Sequence, residues 1–552
     1  MKPLLATLAL LALTAQVPTP VPSAQPTAEP TVSPTATPAT PGTLVATPAS
    51  VAMPPNGAAR VTIAGATGAL AVTVAQNLVT ADVDPAAPVI RIFASDKTGT
   101  DTVHVVDADG ASLDIPVRVA PYGGILAGSV SVDVTGDPAD PAFVADKVRD
   151  AVRRATQVQP GATLTIGAPD PAPASLASGA SVALVVPVQI AGGDAYLDVA
   201  GSTAVTVQNM ALGGFEPALL HYDDDPERVG ADGLLYRATV SSDRPIRLYY
   251  YHDSDAARHR FLMVLASQSD QATPVHVIAA TGGPNVDVMS VGHAVSRNFV
   301  LTKLHDQGVV LDLPQSGTNY TLLDVPFGGG EGVAGTVDLR VLGGGPVDVL
   351  LLSVPADADD ATVRQMLFSA RLPSDGHRRT GAFRIDGYGS AERSYAVGGA
   401  DVSVVYGDQG PPSADDTAGR DAGDYGVVQS IGFSLNNPTA APAVAYLYER
   451  PIGGSVRSTF VVDGTAIELG CVRDSAQRYL IAAYTLAAHA NRDLLVKTMT
   501  DGGSNYPIEV GVSATPPVAT TPPLADPDGC FPAPATPAPS ASPMPSPSPP
   551  PL

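Results

Sequence analysis

Between Val51 and Pro121 the chain is written in steps of two. "RVTIAG", "ALAVTVA", "VIRIFAS", "TVHVVDADG" and "LDIPVRVAP" alternate apolar with polar or small residues, and Gly, Asp and Pro stand between the runs. Side chains on a strand point to opposite faces in turn, so this rhythm buries one face of a sheet and wets the other. The spacing of the turn residues predicts hairpins, and repeated hairpins predict a sandwich or barrel. Composition agrees, with 53 Gly, 54 Pro and only 15% charged residues, against roughly 25% in an average globular chain. A helical cytosolic enzyme is a poor fit to that balance.

The stretch "KTGTDTVHVVDADGASLDIPVRV", residues 97–119, resembles the closing strands of bacterial immunoglobulin-like repeats. In those a Gly-Thr turn leads into a strand, an Asp-x-x-Gly turn and a final V-x-V strand. The same region is similar to the small β domain at the N-terminus of some pilus-assembly and secretin proteins. Neither family carries catalysis in that module, so the resemblance implies a spacer, adhesive or assembly role for residues 49–121.

The flanks are of another kind. "MKPLLATLALLALTAQ" places one lysine before an apolar run that ends in small residues. The run is shorter than the ~20 residues a bilayer requires, so residues 1–15 are expected to be a cleavable signal peptide. Residues 16–48 repeat Pro, Thr, Ala and Ser and hold too little apolar surface to offset their ordering entropy. They are expected to be an extended, disordered stalk, and 514–552 a tail of the same character. No second run approaches spanning length, and membrane insertion of the mature chain is not expected. The two cysteines, Cys471 and Cys530, are expected to pair in an oxidising compartment, closing a loop of about 60 residues. Unpaired thiols or an intermolecular link are the alternatives.

Residues 122–207 mix patterns. "GSVSVDVTG", "SVALVVPVQIA" and "AYLDVAGSTAVTVQ" read as strands. "DPAFVADKVRDAVRRATQ" is a strong amphipathic helix, with Asp140 placed to cap it and Pro141 in its first turn. A small α+β domain is expected. Residues 208–513 read as β apart from one helix in "DADDATVRQMLFSARL". Two stretches echo each other there: "SQSDQATPVHVIAATGG" from Ser267 and "SLNNPTAAPAVAYLYERPIGG" from Ser434. A second echo joins "SGTNYTLLDV" from Ser316 to "GGSNYPIEVGV" from Gly502. Two divergent copies of one sandwich are expected, at 208–354 and 355–513. His276 in the first copy falls where the second has alanine or valine, and is expected to be scaffold.

Chemistry-bearing motifs are sparse. His252, His259, His293 and His305 lie in no metal-binding spacing, and there is no H-E-x-x-H or H-x-H. "GYGSAE" lacks the closing glycine of a nucleophile elbow, and "FGGGEGVAG" lacks the Lys-Ser/Thr of a phosphate loop. The acidic turns carry Asp223, Asp225 and Glu227 in one loop and Asp415 and Asp416 in another. Calcium is the one cofactor such hard-oxygen loops suit, and solvated turn aspartates are the commoner explanation. Tyr249, Tyr250 and Tyr251 form the densest aromatic patch, a platform for glycan or peptide if exposed and a core edge if not.

The formal net charge of -23 argues against nucleic acid as partner. The sequence thus leads to a mainly β fold, tandem immunoglobulin-like or β-sandwich domains with one small α+β domain, between disordered Pro-rich segments. The expected role is non-enzymatic: an exported structural or adhesive protein, secreted, periplasmic or on a bacterial cell surface, with a protein or glycan partner. A glycan- or peptide-binding module, a secreted hydrolase and an accessory subunit of a pilus or secretion apparatus are the alternatives.

Overall fold

The computed structural model describes residues 43–519, except 256, 377–378 and 415–420. The expected signal peptide, most of the stalk and most of the tail lie outside the described residues. Strands dominate, with three helices among the described residues. The fold is mainly β, as the alternation predicts. The chain divides into two compact units whose boundary runs through residues 122–207: one holds 1–131, 145–172 and 183–206, the other 132–144, 173–182 and 207 onward.

The N-terminal domain is a sandwich of eight strands: β1 (Val45–Thr47), β2 (Val51–Met53), β3 (Ala58–Ala64), β4 (Ala71–Val74), β5 (Val79–Val83), β6 (Val89–Ala94), β7 (Gly99–Val106) and β8 (Ser112–Val119). They form sheets in the order β1-β3-β6-β5 and β2-β8-β7-β4. The alternating positions Val61, Ile63, Ile90, Ile92, Val103, Val105, Ile115 and Val117 are buried between them. β1 lies within the segment read as stalk, so ordered structure begins before residue 49. The Asp-x-x-Gly turn is closed by Asp107, whose carboxylate accepts N–H bonds from Thr67, Asp109 and Ala111.

The next stretch holds β9 (Gly124–Ile125), β10 (Ser129–Thr135), α1 (Pro141–Ala155), β11 (Gln157–Val158), β12 (Thr163–Ile166), β13 (Ser181–Ala191) and β14 (Val199–Asn209). β12, β13, β14 and β10 lie side by side in that order. Asp140 caps α1 by accepting the Ala142 N–H at 2.7 Å. Val144, Val148 and Val152 are fully buried, one helical stripe as the spacing requires.

The first large sandwich comprises β15 (Leu219–Asp224), β16 (Arg228–Val229), β17 (Gly233–Val240), β18 (Ile246–Ser254), β19 (Arg258–Ser267), β20 (Thr273–Asn285), α2 (Val288–Leu304), β21 (Gly308–Leu313), β22 (Asn319–Gly328), β23 (Gly332–Val341), β24 (Val347–Pro355), α3 (Asp360–Met366) and β25 (Arg379–Arg384). The second comprises β26 (Ser390–Ala396), β27 (Val402–Tyr406), β28 (Val428–Asn436), β29 (Ala443–Pro451), β30 (Val456–Val462), β31 (Thr465–Val472), β32 (Tyr479–Leu486), β33 (Asn491–Met499) and β34 (Ile508–Ser513).

The first echo marks equivalent elements. β19 and β20 flank one polar turn, β28 and β29 the other. Around them the antiparallel pairs β18·β23, β20·β23, β20·β21 and β19·β22 recur as β27·β34, β29·β34, β29·β32 and β28·β33. Between β20 and β21 the first sandwich inserts α2, and between β29 and β32 the second inserts the β30–β31 hairpin. The second echo does not hold. Asn319-Tyr320 opens β22, beside β19, whereas Asn505-Tyr506 leads into β34, the counterpart of β23. The division at 354/355 also moves: β25 pairs with β15, and Leu367 of the segment after α3 packs with Leu234 and Leu352. Residues 355–384 therefore stay with the first sandwich.

α2 is the helix that sequence reading missed. Met289, Val291, Val295, Ser296, Phe299 and Val300 are buried around much of its circumference. It packs against β20 and β23 of its own sandwich and against β30 and β33 of the other.

Candidate functional site

The joint between the two large sandwiches gathers several buried ionisable groups, among them Asp421, Asp424 and Asp501. Its apolar part includes Leu220, Tyr222, Tyr249, Tyr251, Val291, Val295, Phe299, Val461 and Met499. The tyrosine platform is thereby overturned. β18 is a central strand with a core on each side, so Tyr249, Tyr250 and Tyr251 are 2%, 0% and 8% exposed. Tyr250 stacks on Phe261 at 4.8 Å inside the first sandwich. Tyr249 faces the joint, stacked on Tyr425 at 6.0 Å.

At the end of β15 the acidic turn is also consumed internally. Asp223 lies 3.2 Å from His252 and 3.3 Å from Arg371. Asp224 accepts from the Tyr222 hydroxyl at 3.1 Å and from Arg379 at 3.3 Å. Asp225 accepts the Asp375 N–H at 3.0 Å, and Asp375 in turn accepts the Glu227 N–H at 2.8 Å. Burial, aided by Glu227, pushes the Asp224 carboxyl up to about 7. Burial drives His252 down, but the Asp223 carboxylate outweighs it and the imidazole sits above its ordinary value. Asp223, Asp225 and Glu227 thus have separate partners, and Asp415 and Asp416 lie outside the described residues. Among the described residues no three His, Cys, Asp or Glu side chains are placed to hold a metal ion.

Across the joint, His293 of α2 bonds Asp501 through Nδ1 at 2.6 Å, with Nε2 3.7 Å from Glu468. Ser296 donates to the other oxygen of the same Asp501. Arg297 bonds Glu468 at 2.7 Å, and Arg457 reaches Ser290 at 2.8 Å. A serine, a histidine and an aspartate therefore meet, but in the wrong order for nucleophilic catalysis. A triad needs the imidazole between serine and carboxylate, and here the carboxylate stands between them. What the arrangement can do is lock α2 onto the second sandwich. Burial lowers His293, the Asp501 and Glu468 carboxylates more than restore it, and its value lies above the usual one. No sequence signal pairs residues 293 and 501.

Further buried acids line the same region. Asp424 accepts from the Tyr388 hydroxyl, the Gly407 N–H and Gln429. Burial, with Asp424 adjoining, raises Asp421 well above the carboxylate range. His276 is fully buried, with Thr135 Oγ1 at 2.9 Å on one nitrogen and Arg340 at 3.2 Å on the other. Burial and the Arg340 charge push it down to about 4, so it is neutral. Cys471 is disulfide-bonded, and Cys530 lies outside the described residues.

The second sandwich also carries an open hollow of about 450 Å³ on the outer face of β26, β28 and β33, lined by Ser394, Ser434, Asn436, Asn491 and Asp493 together with Tyr395, Ala396 and Leu435. Ser434 donates to Asp493 at 2.8 Å, and Asn436 to Asn491 at 2.5 Å.

No protein-family model matches the chain, and no curated protein matches it. Among solved structures it is similar to SGBP-B of the Bacteroides ovatus mixed-linkage glucan utilization locus, in complex with a mixed-linkage heptasaccharide. That match has 11% identity over 54% of this chain and 70% of that one, with a TM-score of 0.13. The D00-D0 domain of intimin matches at 13% identity over 30% of this chain and 99% of that one, TM-score 0.13. The fibronectin(III)-like modules of Clostridium thermocellum CbhA match at 12% identity over 31% and 98%, TM-score 0.16. Likenesses this distant carry no argument about ligand or activity. Among the described residues no helix is long and apolar enough to cross a membrane.

Proposed function

We propose that the chain is an exported, non-enzymatic β-sandwich protein that holds a stiff folded body at or beyond a bacterial cell surface, where it contacts a protein or glycan partner. The observation that supports this best is the joint. Its ionisable side chains His293 and Asp501, with Ser296, are spent on bonding α2 to the second sandwich, around an apolar core shared by both. Such a joint suits a rigid spacer, whereas a catalytic cleft between domains keeps its histidines and carboxylates open to substrate. Protease treatment of intact cells is expected to degrade the chain, and deletion to weaken attachment to neighbouring cells or surfaces. Retention inside the cell, or hydrolysis of a substrate panel that disappears in His293→Ala, overturns the proposal.

The hollow beside β26, β28 and β33 favours a second reading, a glycan- or peptide-binding module. Hydroxyl, amide and carboxylate groups on a shallow sheet face can accept and donate to a polar chain. Saturable binding on a glycan or peptide array, abolished by Asn491→Ala, supports that reading; an unchanged array counts against it.

A further inference from the structure

His259 stands at one end of the first sandwich, on the face of β19 that carries Phe261, Met263 and Leu265 into the core. It is 5% exposed, and its ring lies 6.0 Å from that of Phe327. Two loop carboxylates flank it. Nδ1 bonds Asp232, between β16 and β17, at 2.9 Å, and Nε2 lies 3.6 Å from Asp255, between β18 and β19. Ser353 donates to the same Asp232 oxygen at 3.4 Å, and the Ala257 N–H to Asp255 Oδ1 at 2.6 Å. Both carboxylates are thereby held in place, and among the described residues neither has a Lys or Arg partner. Nε2 is buried and makes no hydrogen bond, and no protonation state of the ring mends that. With a proton, Nε2 carries a donor whose carboxylate neighbour is beyond hydrogen-bond reach. Without one, its lone pair faces the oxygens of Asp255. A cation between the two satisfies both.

We infer that His259 and Asp255 bind one divalent transition-metal ion of the zinc class, with Asp232 as the positioning residue. Zinc takes imidazole nitrogen and carboxylate oxygen at about 2.0–2.1 Å. Two such ligands of a tetrahedral ion stand about 3.4 Å apart, close to the 3.6 Å between Nε2 and Asp255 Oδ1. A metal-bound imidazole almost always donates its other N–H to a carboxylate or carbonyl, which fixes the ring and raises its basicity. Asp232 takes that part. Calcium and magnesium call for oxygen ligands throughout, so the imidazole selects the softer ion. The Asp255 side chain is 38% exposed, which leaves the remaining coordination positions to water. No third His, Cys, Asp or Glu is placed to join the two among the described residues, so binding is weaker than at a closed structural site. The ion ties the β18–β19 loop to β19 and, through Asp232, steadies the loop before β17. This inference does not depend on the role proposed above.

Calorimetric titration of zinc into the chelator-treated full chain tests it. The expected result is one ion per chain, no response to magnesium, and a urea midpoint raised by zinc. Cobalt(II), which accepts the same ligands and is coloured when four-coordinate, should give a visible absorption band. His259→Ala and Asp255→Asn should each weaken zinc binding at least tenfold; the second lies at the exposed edge, so its circular dichroism should be unchanged. Asp232→Asn should keep the stoichiometry, weaken zinc about 10–100-fold and shift the cobalt band, because it changes the ring's partner and not a ligand. His104→Ala, at the exposed His104–Asp114 pair of the N-terminal domain, should change nothing. No binding up to about 1 mM zinc overturns the inference and leaves His259 as an ion pair with its carboxylates. Zinc binding that survives both His259→Ala and Asp255→Asn overturns it too.

Discussion

Gly292 of α2 rests directly on the backbone of Gly502. A Cβ built on Gly292 would run into the Gly502 carbonyl, and one built on Gly502 would meet the Gly292 Cα at 3.4 Å and the Tyr249 hydroxyl at 2.8 Å. A Cβ built on Gly503, at φ +75, would meet the Val288–Met289 peptide at 2.9 Å. The helix can press into the second sandwich only because both sides lack side chains here.

Gly292→Ala should therefore destabilise the joint, although alanine is normally worth ~1 kcal/mol over glycine inside a helix. Overpacking against fixed backbone costs about 1–3 kcal/mol or more, so a net loss of ~2 kcal/mol is expected in urea unfolding. An exposed alanine change in α1, Arg154→Ala, should move the midpoint little. Equal effects from the two would show that Gly292 is not under this constraint.

The second unit should be most stable in mild acid. Burial raises Asp224 to about 7 and Glu449 to about 8, and Asp421, His252 and His293 also lie above their ordinary values. Each group raised in the fold contributes fully below its unfolded value, and that contribution is lost as pH rises through the folded value. For the two carboxyls the loss runs from about pH 4 to about pH 8. His276 works the other way: held down at about 4, it stabilises above pH 6.5 and ceases to do so as pH falls toward 4. The raised groups outnumber it. Urea unfolding should show stability falling by at least ~2 kcal/mol between pH 5 and pH 8.5. Glu449→Gln should flatten the upper part of that slope. A flat or rising profile would refute the assignment.

Much of the fold was legible because strands announce themselves by alternation, and the N-terminal sandwich follows "RVTIAG" and "VIRIFAS" strand for strand. The joint was not legible, for physical reasons. α2 is rich in valine and buried around much of its girth, so it lacks the polar stripe that marks a surface helix. The one local signal was Asp287, which caps it by accepting the Ser290 N–H at 3.1 Å. "IRLYYYH" was the warning against a platform. Ile246–His252 is buried at every residue, as a continuous apolar run implies for a strand covered on both faces. The pairing of His293 with Asp501 spans two sandwiches and leaves no trace in local spacing.

Cys471 is disulfide-bonded, and Cys530, the one other cysteine of the sequence, is the partner expected for it. Non-reducing peptide mapping should recover the two in a single linked peptide. Closing a loop of about 60 residues is worth ~4 kcal/mol on the chain-entropy model, so Cys530→Ser should lower the urea midpoint of the second sandwich. A free thiol titrating in the native chain would contradict the pairing.

Tyr250 offers the sharpest test of whether the aromatic run is core. Its ring lies over Gly335 of β23, where any Cβ would collide with it, and glycine at that position makes room for the ring. Its hydroxyl is buried without a hydrogen-bond partner, and burial pushes its ionisation far up. An unpaired buried hydroxyl costs ~1–3 kcal/mol, so Tyr250→Phe should leave stability unchanged or raise it by ~1 kcal/mol. Gly335→Ala should lower it by ~2 kcal/mol through overpacking. A hydroxyl engaged with a ligand would reverse the first result: the phenylalanine variant would then lose binding while gaining nothing in urea.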